Sequence, residues 1–138
     1  MAYDFPKAAM IDGKFGPTDK QHFYKPASYH ARSASHNIDK SRWKISKLGE
    51  YYVFRIADEK VWYDTLCNGL FTILEDGKEI LGSEGERLGF FPKPMNDVDA
   101  WHGYPVCSDT ISDALIERWY DEKVISTSTR SRLLKHKI

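Results

Sequence analysis

From residue 43 onward, short runs of Val, Ile, Thr, Tyr, Phe and Trp begin about every nine residues, at 43–46, 51–56, 61–66, 70–74, 79–81 and 87–91. Turn-forming residues separate them: Leu48-Gly49, Ala57-Asp58-Glu59, Asn68-Gly69, Asp76-Gly77, then Gly82 and Gly85. Asn-Gly and Asp-Gly are strong hairpin signals because both residues tolerate positive φ. The rhythm predicts an antiparallel meander of about five to six strands over 43–91. A competing helix over 59–68, with Trp62 and Leu66 one turn apart and Gly69 as its stop, is outweighed by the β-branched and aromatic run Val61-Trp62-Tyr63. Apolar residues fall on both faces of these strands, so both faces of the sheet are expected to be covered.

The pattern changes on either side of the meander. Residues 1–42 carry three of the six prolines and two glycines, Pro6, Gly13, Gly16, Pro17 and Pro26, which interrupt every period there, and read as an irregular arm. Its aromatics Phe5, Phe15, Phe23, Tyr24 and Tyr29 predict that it packs on the rest of the chain. Residues 92–107 form a loop rich in proline and aromatics, barred from a central strand. Over 108–138 the period becomes helical. Ile111, Leu115 and Trp119 share a stripe over 109–121, with Ser108 or Asp109 as cap, and Ser126 caps a final helix through Leu133-Leu134. The expectation is a single α+β domain: arm, meander, loop and C-terminal αα-hairpin.

Composition narrows what such a domain does. With 138 residues the chain can bury a core without a metal or disulfide. Cys67 and Cys107 lack the spacing of a zinc or redox motif and read as thiols in a reducing, cytoplasmic setting. No stretch approaches the length of a membrane span, and no secretory signal opens the chain. The 20 basic and 20 acidic residues balance, which argues against a surface wholly devoted to nucleic acid. They are unevenly placed, however: residues 1–48 are basic and 49–100 acidic, so the arm is expected to lie against the middle of the chain.

Phosphate-binding loops, dinucleotide fingerprints, zinc-protease helices and nucleophile elbows are absent from the sequence. Phe90, Phe91, Trp101, His102 and Tyr104 cluster around the loop, and Trp and Tyr dominate interface hot spots. Gly103 is expected to make a tight turn that pushes Trp101 and Tyr104 outward. The leading reading is therefore a small non-catalytic binding module engaging another macromolecule, a protein first of all, through this loop. The alternative is a metal-independent ribonuclease acting on RNA. There His30 and His36 would serve as base and acid, with Arg32 holding phosphate. Metal binding by His22, His30 and His36 matches no common ligand spacing, and Asp97 with Asp99 reads as a solvated acidic loop. A third reading, nucleic-acid binding by the tail residues Arg130, Arg132, Lys135 and Lys137, ranks last. No cofactor or metal is expected.

Overall fold

In the computed structural model, residues 5–27 and 42–138 are described. The elements run α1 (Lys47–Glu59), β1 (Tyr63–Asp64), β2 (Gly69–Ile73), β3 (Leu88–Pro92), β4 (Tyr104–Val106), α2 (Asp113–Asp121) and α3 (Thr127–Leu134). The fold is α+β, with an antiparallel four-stranded sheet in the order β1-β2-β3-β4. Four strands replace the expected five to six: three start within 43–91, and β4, at the sheet edge, comes from the segment 92–107 expected to be a loop.

The largest departure is α1. Residues 51–56 read as a strand because Tyr51, Tyr52, Val53 and Phe54 are β-formers, yet they lie inside a 13-residue helix. Two features override propensity. Ser46 caps the helix by accepting a hydrogen bond from Gly49 N, and Glu50, Val53, Phe54 and Ala57 bury a stripe at helical spacing. The competing helix at 59–68 is likewise displaced: α1 ends at Glu59, and the next residues enter β1. The expected strand at 43–46 reduces to one bridge between Trp43 and Gly82, which also replaces the strand at 79–81.

Residues 65–68 connect β1 to β2, with Gly69 already paired to Asp64 as the first residue of β2. Asp76-Gly77 makes no hairpin turn. It sits in a 3₁₀ turn, Glu75–Gly77, where both residues adopt positive φ, and β3 begins only at Leu88. The pairing of β2 with β3 sets Leu70 opposite Phe91 and Phe71 opposite Phe90. Alternation then turns Leu70 and Phe91 to one face and Phe71 and Phe90 to the other. Phe91 meets α1 edge-on through Phe54, with ring centroids 5.3 Å apart. On the opposite face, Ile73 lies beside Gly77 and Thr129 of α3.

Two helices, α2 and α3, close the chain, with α2 starting later than 109. Ser112, rather than Ser108 or Asp109, caps it by accepting from Leu115 N, while Ser126 caps α3 through Thr129 N. Trp119 is fully buried and meets Trp62 edge-on at 5.6 Å. Asp64, itself buried, ties sheet to hairpin. Its Oδ1 accepts from Leu66 N and Cys67 N, and its Oδ2 accepts from Ser112 N at 2.7 Å.

The described part of the arm packs on α1 and the sheet. Phe15 stacks on Tyr51 at 4.9 Å, and Tyr24 lies against Phe54 and Phe91. Backbone bonds stitch it to the long loop: Lys25 N donates to Trp101 O and Trp101 N to Phe23 O, each at 2.8 Å. No helix among the described residues is long and apolar enough to cross a membrane.

Candidate functional site

The aromatic residues of the loop do not form one patch. Phe91 and Trp101 are core residues, 0 % and 6 % exposed. Phe90 and Tyr104 are half-buried on the opposite face of the sheet, their rings 5.9 Å apart, and His102 is exposed. Gly103 does not push Trp101 and Tyr104 outward, since one is buried and the other half-buried. A Cβ there would lie 2.2 Å from Phe91 Cδ1 and 2.5 Å from the Phe90 carbonyl, so the glycine permits close packing of β4's entry on β3. Its carbonyl accepts from Trp43 Nε1 at 3.1 Å, holding another core aromatic. What the loop does expose is Met95, at 98 %, and Val98, at 90 %.

His30, Arg32 and His36 lie outside the described residues. In the tail, Arg130 makes a two-pronged ion pair with Glu117, while Arg132, Lys135 and Lys137 are exposed. Among the described residues no three His, Cys, Asp or Glu side chains gather to hold a metal. Cys67 and Cys107 are free thiols, both pushed up in pKa chiefly by burial.

The arrangement with most chemical content lies between the arm, the end of α1 and the loop. Thr18 N donates to His22 O at 2.9 Å, and His22 N donates to the Thr18 hydroxyl at 3.3 Å, which makes residues 18–22 a tight turn. That turn presents two side chains to Asp58 in the last turn of α1. The Thr18 hydroxyl donates to Asp58 Oδ2 at 2.5 Å, and His22 Nδ1 lies 2.8 Å from Asp58 Oδ1. Asp58 is 4 % exposed. A carboxylate at a helix C-terminus opposes the helix dipole, and these two bonds offset that cost. A carboxylate oxygen accepts, so Nδ1–H is the donor of this pair and Nε2 is the ring nitrogen turned away from Asp58.

His22 and Asp58 line a cleft of about 440 Å³. Its apolar walls come from Val61 after α1, Tyr63 and Leu70 of the sheet, and Pro94 and Trp101 of the loop. Lys20 enters from the arm, and Lys93 with Asp97 from the loop. The imidazole lies 5.4 Å from the Trp101 ring. An imidazole aligned by a buried carboxylate beside an apolar cavity can accept a proton or a hydrogen bond from a bound molecule.

A second buried carboxyl lies two turns earlier on α1. Glu50 is fully buried, its Oε1 accepts from the Tyr24 hydroxyl at 2.9 Å, and its Oε2 has no partner among the described residues. Burial pushes Glu50 up to about 8, and burial together with Glu50 also pushes the Tyr24 phenol up.

The sequence considered His22 only as a metal ligand and Asp58 only as a turn residue. Their separation of 36 positions carries no local signal. The one legible hint was the basic arm facing an acidic middle. Comparison with known proteins found no matching family, no similar curated protein and no similar solved structure.

Proposed function

We propose that the protein is a small non-catalytic binding module that engages another protein through the segment 90–105. The observation behind this reading is the pair of almost fully exposed apolar side chains, Met95 and Val98, on a loop whose base is held by buried Phe91 and Trp101. Exposed apolar groups on a braced loop contribute to binding without a large ordering cost. The aromatics thus serve as anchors of the loop, and Met95 and Val98 make the contact. A groove beside them is bordered by Lys14, Lys25, Lys93 and His102. The complementary partner surface is an apolar pocket with acidic groups around it.

The test compares wild type with the double variant Met95→Ser, Val98→Ser. A stoichiometric partner is first captured from a lysate of source cells, and its affinity for both proteins is then measured. The variant should bind about thirtyfold more weakly with a stability change within about 0.5 kcal/mol. Equal affinity of both proteins, or no stoichiometric partner, overturns the proposal.

A further inference from the structure

We infer that the cleft between the arm and the loop is a binding site for a small organic anion: an apolar body carrying one carboxylate and one hydroxyl. Each part of that description answers a feature of the cleft. A volume of about 440 Å³ lies within the range of small-molecule pockets, roughly 300–1,000 Å³. Leu70 and Trp101, both buried, supply an apolar floor for the body of the ligand. Lys20 and Lys93 line the cleft from opposite segments, and Asp97 is a carboxylate in the same lining. The other lining carboxylate, Asp58, lies buried behind the ring with its oxygens occupied by Thr18 and His22.

The hydroxyl is assigned by His22. A fastener joining the arm to α1 needs only Nδ1, and Thr18 alone already supplies one such bond. The imidazole is nevertheless part of the cavity lining, and its side chain is 33 % exposed. With Nδ1 donating to Asp58, Nε2 makes no hydrogen bond to another described residue. A ligand hydroxyl, which can donate or accept, matches that nitrogen whether or not it carries a proton. Asp58 is then a positioning residue, fixing both the tautomer and the ring plane.

This inference is independent of protein docking, because it is read on purified protein with no partner present. The probes are 4-hydroxyphenylacetate, its amide, which lacks the charge, and phenylacetate, which lacks the hydroxyl. A small panel of other hydroxylated aromatic carboxylates joins them at up to 5 mM, roughly the weak limit of measurable fragment affinity. Binding is followed by the imidazole resonances of His22 and the indole resonance of Trp101. The hydroxylated carboxylates should shift both signals saturably, and the amide and the dehydroxylated acid should each bind about tenfold more weakly. Lys20→Ala and Lys93→Ala change exposed residues, so the fold survives while carboxylate affinity falls and amide affinity does not. His22→Phe should erase the preference for the hydroxyl. Equal binding of acid and amide, unchanged affinity in both lysine variants, or no saturable shift from any hydroxylated carboxylate overturns the assignment.

Discussion

Glu50 shows most directly how one residue sets a property of the protein. Its carboxyl is held neutral by burial, with a pKa raised from 4.5 to about 8. The folded state therefore binds more protons than the unfolded state between those values. The stability that this group contributes is fully present below about 4.5 and is lost as pH rises through about 8. Urea midpoints measured at pH 5, 6.5 and 8.5 should fall with rising pH. Glu50→Gln should flatten that trend and raise stability at pH 8.5 by a few kcal/mol. A midpoint that rises with pH in wild type would place the carboxylate, rather than the acid, in the fold. His22 and Asp58 illustrate the complementary case. There a buried carboxylate is compensated by two donors from the arm, so its burial costs less than that of Glu50, whose second oxygen has no partner among the described residues.

Among the elements, Asp64 joins pieces that the chain visits far apart. Replacing it with Ala removes the acceptor of three backbone N–H groups, those of Leu66, Cys67 and Ser112. That should cost about 2–3 kcal/mol in chemical denaturation, with amide exchange accelerated at the start of α2 as well as in the β1–β2 turn. Exchange confined to the turn would show that the bond to Ser112 contributes little. Legibility in the sequence divides along similar lines. Strands β2 and β3 and the two C-terminal helices carry local signals, a β-branched run or a capped stripe, that agree with their tertiary surroundings. Helix α1 does so less clearly: its aromatic run suits a sheet, and the Ser46 cap together with packing against Phe91 and the arm decides for helix. The candidate cleft was less legible still, because Asp58, His22 and Trp101 come from three segments with no shared spacing. The expected exposure of Trp101 failed for the same reason, since its cover is an arm from the other end of the chain.

For the whole molecule, the arm is what closes the structure. Tyr24 bridges to Trp101, Phe15 stacks on α1, and the Thr18–Asp58 bond spans 40 residues. The meander and the helical hairpin, by contrast, pair neighbours in sequence. Loop-closure entropy makes distant contacts slow to form and adjacent ones quick. Folding should therefore complete the sheet and helices before the arm docks. Phe15→Ala should speed unfolding while leaving the folding rate almost unchanged, a φ-value below about 0.3. A folding rate that drops in proportion to the stability loss would mean that the arm belongs to the nucleus. Late docking also sets when the ligand cleft comes into being. Two of its polar groups, Lys20 and His22, ride on the arm, so a chain that has passed its folding barrier still has no complete cleft to offer. A small molecule that binds there would act as a latch on the last step, slowing the arm's release far more than it slows or hastens anything earlier.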